Sequence, residues 1–363
     1  MRHAASVMNG SDPGAPGSPP PVLSFRHLLT DAVGTFLDEA GMSCAQTADS
    51  IGELIVTLSR YREEGAPLFP MAFMGDDLGQ MLALLGGKDP IAIGIGPRSR
   101  ATVQRALKQC APLGQGRWWA LYLLRVPEGF AYGVFRTDPF PLAESPLERL
   151  RRTEEAQAGV VGVLQLADNM LELRAGGGLC RHVYLSGARV EGASPPAVLN
   201  ELAEAITDGV ASASLERARG FFRRVLFEVM QSSHGALVAV LPRERAGSTL
   251  FVDGIILPRP LDIVALLDRY HADPTDSAAT AVRATGQLLR GMMATDGITV
   301  LRADGCIVGY NIFVRHPESL AHQPSVVGGA RRRTYEVLGA AVGTELTAAF
   351  IRSQDGDAAC RRA

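Results

Sequence analysis

Apolar and polar residues alternate with two different periods along the first part of the chain. In 28–40 and 51–61 the apolar residues recur every three or four positions, as on the buried face of an amphipathic helix. Alternation with a period of two on both sides of Pro127-Glu128-Gly129 predicts a β-hairpin, because proline and glycine favour turns. The predicted helices are 28–40, 51–61 and 101–110, and the predicted strands are 91–95, which we expect to be buried, 119–124 and 130–135.

A charged segment, 146–157, predicts a surface helix or a linker, and β-rich sequence follows it. Strands are predicted at 160–166, 170–174 and 182–185, with a glycine turn between the last two. We expect this β-rich piece to pack with the elements that precede it.

Apolar residues recur at helical spacing again after Ser194-Pro195-Pro196. Serine before proline indicates a helix start, because proline in the first turn of a helix loses no hydrogen bond. The helical spacing continues to Met230, and Gly209 and Gly220 are expected to divide it into two helices. Asp304-Gly305 then predicts the turn of a second hairpin. The strands predicted in this part are 236–241, 251–257, 297–300, 306–314 and 346–352, and the helices are 261–270, 277–293 and 331–343.

This succession of helices and strands predicts an α/β protein with two domains. Residues 1–24 hold five prolines among Gly, Ser and Asp and predict a disordered tail, because such sequence buries little apolar area. Residues 25–190 are expected to form a smaller α/β domain with a β-rich end. Residues 191–363 are expected to form a second domain, with a central mixed sheet flanked by helices.

Composition narrows the class of protein. The 363 residues include 36 basic and 38 acidic residues, a net charge of −2, which excludes a dedicated basic surface for nucleic acids and requires any anion site to be local. The five cysteines form no CxxC pair and favour neither a disulfide framework nor a zinc site. No apolar run reaches the ~18 residues needed to span a bilayer, so we expect a cytoplasmic protein.

The run Gly328-Gly329-Ala330-Arg331-Arg332-Arg333-Thr334 has the properties of a phosphate site. Two glycines let the backbone approach a ligand closely. The free N–H groups and the positive dipole end of a helix start favour phosphate, and arginine adds forked donors. The alternative is a solvated basic helix start.

Four segments of residues 200–356 occur in an order that is specific. Gly235 opens an Ala-Leu-Val strand, Asp296-Gly297-Ile298 leads into a hairpin, the glycine-arginine run begins a helix, and Ser353-Gln354-Asp355-Gly356 ends a strand. This order resembles the diadenylate cyclase (DAC) superfamily, in which an Asp-Gly-Ala motif and a Gly-Thr-Arg-His-Arg run hold the second and third places. The remainder looks like the companion region of the predicted sensors called DACNV.

The resemblance implies roles for individual residues. Arg331 and Arg333 would face the phosphates of the ligand. Asp296 would hold Mg²⁺ or Mn²⁺ in an active cyclase, to activate a 3′-hydroxyl, or it simply caps the turn after the helix at 277–293. The implied nucleotide site consists of Asp296, Gly297, Gly328, Gly329, Ala330, Arg331, Arg332, Arg333, Thr334, Ser353 and Gln354.

Three residues depart from the family's pattern. Arg332 replaces a histidine, Ile298 replaces a small alanine near the place where the nucleotide packs, and Gln354 replaces a glutamate that would help to bind metal. Losing a carboxylate weakens metal binding, whereas the phosphate site persists. The expected function is therefore a sensor that binds a nucleotide or cyclic dinucleotide without turnover, as DACNV-type sensors linked to bacterial conflict systems are thought to do.

Two alternatives stay open. One is a metal-dependent diadenylate cyclase that joins two ATP molecules across a face-to-face homodimer, with Asp296 on the metal. The other is a relic that binds nothing. A sensor would need a separate effector protein, and neither a membrane nor a nucleic acid is expected as a partner. Outside the main site, the loop at 94–100 is either an anion loop or a structural turn, and His316 and His322 either touch a ligand or lie on a surface loop.

Overall fold

The structure, a computed structural model, describes residues 24–155, 158–167, 169–185, 195–233, 235–315, 329–353 and 357–363. Two α/β units follow each other along the chain, and each has a mixed sheet packed against helices. The predicted fold class is therefore confirmed. Residues 1–23 of the predicted disordered tail lie outside the described residues.

The first unit extends from the start of the described chain to residue 185. Its helices are α1 (Phe25–Glu39), α2 (Ala45–Leu58), α3 (Leu78–Leu85), α4 (Arg100–Cys110) and α5 (Pro146–Arg152), with a 3-10 segment at Ala111–Arg117. Its strands are β1 (Arg62–Glu63), β2 (Ala66–Pro67), β3 (Met71–Gly75), β4 (Lys88–Gly96), β5 (Trp119–Val126), β6 (Gly129–Arg136), β7 (Val160–Ala167), β8 (Met170–Arg174) and β9 (Cys180–Tyr184).

The second unit begins at Pro195. Its helices are α6 (Pro195–Ile206), α7 (Ser212–Ser232), α8 (Ile263–Ala272), α9 (Asp276–Met293) and α10 (Ala330–Ala340). Its strands are β10 (Ala236–Leu241), β11 (Phe251–Asp262), β12 (Ile298–Arg302), β13 (Cys306–Val314), β14 (Ala348–Arg352) and β15 (Ala358–Arg362).

The two sheets share one topology. The first has the strand order β4-β6-β5-β3-β7-β8-β9, and the second has β11-β13-β12-β10-β14-β15. In each sheet a single parallel pair, β3 with β5 and β10 with β12, is flanked by antiparallel neighbours. Two helices precede each sheet, and a helix joins the hairpin to the following strand in both. The chain is therefore a tandem pair of similar units. Only the first has β1, β2, α3 and β9, and the second has two α-helices, α8 and α9, where the first has α4.

Apolar side chains alternate between the two faces of each sheet because successive residues of a strand point to opposite sides. In β10, Val238 and Val240 pack against α6 to α9, whereas Leu237 and Ala239 pack beneath α10. The first sheet is covered in the same way, by α1, α2 and α4 on one face and by α3 and α5 on the other. Each helix that follows a hairpin, α5 or α10, thus covers the face opposite the larger helical layer.

Several element predictions were wrong in detail. The strand predicted at 91–95 is not buried, because β4 pairs only with β6 at the sheet edge and leaves Ile91 and Ile95 49% and 55% exposed. The strand predicted to be the last, 346–352, is followed by β15, which pairs with β14. The helix predicted at 146–157 ends at Arg152.

The two units are joined by packing and by hydrogen bonds. Phe140, from the first unit, lies in the core of the second with its ring centroid 5.1 Å from that of Tyr270. Phe227, from α7, is partly buried and packs against the cores of both units. Gln231 at the end of α7 donates a hydrogen bond to the carbonyl oxygen of Gln165 and accepts one from Arg117. Within the described residues, no helix combines the length and the apolar character needed to cross a bilayer.

Candidate functional site

The strand directions of the second sheet bring the predicted motifs to one edge. β10 and β12 run in parallel as neighbours, so Gly235 and the Asp296-Gly297 pair, which precede them, lie side by side. β14 runs antiparallel to β10, and its last residue, Arg352, opposes the first residue of β10. Arg331, at the start of α10, reaches the same edge. We call Gly235, Asp296, Gly297, Arg331 and Arg352 the edge cluster.

The central contact of the edge cluster is an ion pair. Nη2 of Arg331 donates a hydrogen bond to Oδ1 of Asp296 over 3.0 Å. The Asp296 side chain is 92% exposed and that of Arg331 is 30% exposed, so water screens the pair and its contribution to stability is small. Both groups are therefore accessible to a ligand at little cost to the fold.

Two glycines allow the chain to close around this pair. Gly235 has φ +142°, and a Cβ there would lie 2.8 Å from Nη1 of Arg331 and 3.2 Å from the carbonyl oxygen of Arg352. A Cβ on Gly297 would lie 2.4 Å from the carbonyl carbon of Asn311 in β13. The backbone N–H of Gly297 donates a hydrogen bond to Oδ1 of Asn311 over 3.2 Å. Gly235 is favoured by its positive φ, and Gly297 is required by its close approach to the backbone of β13.

The start of α10 exposes backbone donors. Gly329 is the N-cap residue, and no side chain of the described residues caps it. The N–H groups of Arg332 and Arg333 bond to the carbonyl oxygen of Gly329, whereas those of Ala330 and Arg331 precede the first intrahelical bonds. Gly329 is exposed, and a Cβ there would meet nothing within 4 Å. An anion could therefore approach this backbone directly.

The three consecutive arginines do not all lie on one side of α10. Nε of Arg332 lies 3.2 Å from Oε1 of Glu336, and its guanidinium lies 5.5 Å from the centre of the Tyr335 ring, on the side of α10 where Arg361 also packs. Arg332 is thus turned away from Asp296. Arg333 is exposed and follows Arg331 by about 200° around the helix axis, so the expectation that both face one ligand stays a prediction. Thr334 is partly buried.

Two residues of this edge, Arg352 and Ser233, escaped the sequence analysis, whereas Ser353 was predicted. Arg352, only 5% exposed, donates a hydrogen bond from Nη1 to Oγ of Ser233 over 3.1 Å. Ser353 closes the end of β14 by accepting a hydrogen bond at Oγ from the backbone of Asp357. The signal for Arg352 was present, since it is the charged last residue of the strand predicted at 346–352.

The prediction that the added volume of Ile298 lies where the nucleotide packs was wrong. This side chain is 1% exposed and packs in the core beneath α10, so its added volume lies inside the protein and not against a ligand. Gly328 and Gln354 lie outside the described residues, as do His316 and His322. The loop at 94–100 forms a structural connection: Nη2 of Arg98 donates to the carbonyl oxygen of Val126, and Ser99 caps α4.

The described residues do not fit a divalent metal centre at this edge. Mg²⁺ and Mn²⁺ require several oxygen ligands, and carboxylates provide most of them in proteins. Asp296 is the one carboxylate of the edge cluster, and the Arg331 guanidinium already lies 3.0 Å from it. Among the residues that the structure describes, no group of three metal-ligating side chains includes Asp296.

A different cluster has metal-ligating side chains. The ligand atoms of Glu172, Cys180 and His182, on β8 and β9, lie within 4.8 Å of one another. Arg174 also lies there, donating from Nε to Oε1 of Glu172 and from Nη2 to Sγ of Cys180. Burial and the neighbouring carboxylate raise the pKa of the Cys180 thiol to about 11, which disfavours a thiolate ligand. Arginine therefore supplies the positive charge here, and the cluster is a buried ion-pair network.

Comparison with protein families and with curated proteins found no match. The resemblance to the DAC superfamily therefore rests on the motifs, and their arrangement at one sheet edge is the observation available for the function.

Proposed function

We propose that the second unit is a nucleotide-binding sensor domain that holds a nucleotide or cyclic dinucleotide at the edge cluster without turning it over. The observation that carries the proposal is the meeting of Arg331, Asp296 and two glycines at the exposed start of α10. The edge cluster contains two arginines and one aspartate, so it has a net positive charge. A phosphate would be held by the Arg331 guanidinium and by the first N–H groups of α10.

Binding without turnover is favoured over cyclase activity by the electrostatics of Asp296. A metal-assisted transfer would need this carboxylate for a cation, but it is already paired with Arg331. Replacing a second acidic position of the family's pattern with Gln354 removes another ligand. The proposed binding therefore involves no metal-dependent step. Occupancy would be passed to a separate effector protein or to a second copy of the chain.

The proposal is tested by thermal unfolding with a panel of ATP, GTP, cyclic di-AMP and cyclic di-GMP. A ligand that binds only the folded state raises the melting temperature, by about 2–5 °C at 100 times its Kd for a protein of this size. At the same ligand concentration, Arg331→Gln should reduce this shift by about half or more, because binding about tenfold weaker lowers the stabilisation from about 2.7 to about 1.4 kcal/mol. The unliganded melting temperature should change little, because the exposed ion pair contributes at most ~1 kcal/mol. Chromatography of the same samples should recover the ligand unchanged.

Arg332→Gln is the matched control, because it removes the same charge from the neighbouring position but faces Glu336 and Tyr335. It should retain the shift. A shift of undiminished size in Arg331→Gln, or a cyclic dinucleotide product formed from ATP, would contradict the proposal.

A further inference from the structure

A cleft of about 550 Å³ lies between the two units. The first unit contributes the segments 66–69 and 114–118 with Pro139 and Pro141, and the second contributes side chains of α7 and α9. Small-molecule sites in proteins usually have volumes of about 300–1,000 Å³ and are common between domains. Arg331 is not among the described residues that line the cleft.

The cleft has an excess of positive charge. Three arginines line it, Arg117, Arg283 and Arg290, and Glu228 is the one carboxylate among the described lining residues. The same carboxylate also forms an ion pair with Arg224, which does not line the cleft. The nitrogen–oxygen distances from Glu228 are 4.0 Å to Arg117, 3.5 Å to Arg224 and 3.2 Å to Arg290. One carboxylate is thus shared by three guanidinium groups, and a bound anion would balance the remaining positive charge.

The cationic groups are held in place by their surroundings. Arg117 donates to the side chain of Gln231, and its guanidinium lies 5.2 Å from the centre of the Phe227 ring. Burial lowers the pKa of Arg117 to about 10, although the nearby Glu228 opposes this shift, and the group remains charged at neutral pH. The guanidinium of Arg283 lies 5.1 Å from the centre of the Phe140 ring. Fixed donors of this kind bind an anion with little loss of side-chain entropy.

The walls of the cleft are apolar and aromatic. Trp118 is 46% exposed although it lines this cavity, and Phe69, Pro139 and Pro141 complete the surface. An exposed indole beside arginines offers a planar face for a ring and forked donors for phosphate or carboxylate oxygens. Such a combination suits an organic anion better than an inorganic ion.

The position of the cleft in the first unit corresponds to that of the edge cluster in the second. The cleft lies where the parallel strands β3 and β5 begin, as the edge cluster lies where β10 and β12 begin. Arg117 precedes β5 by two residues, as Asp296 precedes β12 by two residues. The first unit therefore has a cation where the second has a carboxylate, and it can bind an anion without a metal.

We infer that the cleft between the units is a second ligand site, which takes a small phosphate-bearing organic anion with a planar ring. Arg283 and Arg290 bind the phosphate, and the ring packs against Trp118. This inference is independent of the proposed function of the edge cluster, since the two sites share none of their binding side chains.

Tryptophan fluorescence reports on the cleft specifically, because the two tryptophans of the chain are Trp118 and Trp119. The full-length protein is titrated with ATP and, separately, with inorganic tripolyphosphate as a ligand without a ring. ATP should change the emission with a Kd below about 1 mM, and tripolyphosphate should bind more weakly. Arg283→Gln and Arg290→Gln should each weaken ATP binding about tenfold, because each removes a charge-assisted contact.

Arg331→Gln is the control that separates the two sites, and it should leave the fluorescence titration unchanged. Unchanged emission up to about 1 mM ATP, or an ATP Kd that is the same in the wild type and in both cleft variants, would overturn the inference. A response that Arg331→Gln abolishes would also overturn it and would assign the ligand to the edge cluster. Failure of the proposed function, in contrast, would leave the response of the cleft intact.

Discussion

At the scale of single residues, the edge cluster depends on glycine at position 235. The positive φ of +142° disfavours any side chain, and a Cβ here would lie 2.8 Å from the Arg331 guanidinium, which would have to move. Arg331 can lie against the backbone only because this space is open. The glycine thus connects the local backbone conformation to the position of the proposed phosphate-binding group.

We predict that Gly235→Ala destabilises the protein by about 1–3 kcal/mol, through backbone strain and the displaced arginine. Its free energy of unfolding in urea should fall accordingly, and any ligand-induced thermal shift should shrink. Gly220→Ala is the control, because Gly220 lies within α7 and a Cβ there meets nothing within 4 Å. That variant should be stabilised by about 0.5–1 kcal/mol, as alanine favours a helix interior. Equal stability of Gly235→Ala and the wild type would show that the site tolerates a side chain.

The motif residues of the edge cluster could be predicted from the sequence, and their supporting residues could not. Asp296 and Arg331 were recognised because their order along the chain is specific, and they do meet. Arg352 and Ser233 were missed because their contact depends on the antiparallel pairing of β10 and β14, which joins residues 119 positions apart. Strand pairing over such a separation has no local signal.

At the scale of elements, the pair of strands β8 and β9 contains a buried carboxylate. Glu172 and His182 face each other across the two strands, and Arg174 completes the network. Burial alone would raise the pKa of Glu172, but hydrogen bonds from His182 and Arg174 outweigh it and lower the pKa below its ordinary value. The charged form is therefore favoured in the folded protein.

We predict that Glu172→Gln costs about 1–3 kcal/mol at neutral pH, because it leaves a buried guanidinium without its carboxylate. A lowered folded-state pKa stabilises the protein above the ordinary glutamate pKa of about 4.3, and this contribution is lost as pH falls through the folded-state value. The difference in unfolding free energy between wild type and variant should thus be constant above about pH 5 and shrink below about pH 4. Glu128→Gln, in an exposed turn, should show no such dependence. A difference that does not vary down to pH 3, about one unit below the ordinary pKa, would contradict this account.

Most elements could be predicted from periodicity, and the exceptions have physical causes. The run at 91–95 is apolar enough for a buried strand, but only the strand order places β4 at an edge. The strand β15 was missed because its sequence, Ala-Ala-Cys-Arg-Arg, has neither β-branched residues nor clear alternation.

At the scale of the whole molecule, aromatic side chains pack across the boundary between two units of the same topology. Phe140 is buried in the core of the second unit, and the partly buried Phe227 packs against the cores of both. The shared topology was not visible in the sequence, since a strand order repeats without any repeat of motifs. Arg117-Trp118 stands in the first unit where Asp296-Gly297 stands in the second.

Because each unit completes the core of the other, we predict that the two unfold together. Tryptophan fluorescence, which reports on the first unit, and far-ultraviolet circular dichroism should give coincident urea transitions. Phe140→Ala should lower both midpoints together, with a loss of about 3–5 kcal/mol. Two separate transitions, or a shift in circular dichroism alone, would show that the units fold independently.

The central claim, that Arg331 holds a phosphate without the help of a metal, is tested most directly by titration calorimetry in EDTA. The ligand is the nucleotide or cyclic dinucleotide that gives the largest thermal shift. We expect wild-type protein to bind it in EDTA and Arg331→Gln to bind it at least about tenfold more weakly, because a charge-assisted hydrogen bond contributes about 1.5–3 kcal/mol. Equal affinities of the two proteins, or binding that requires added Mn²⁺, would contradict the claim.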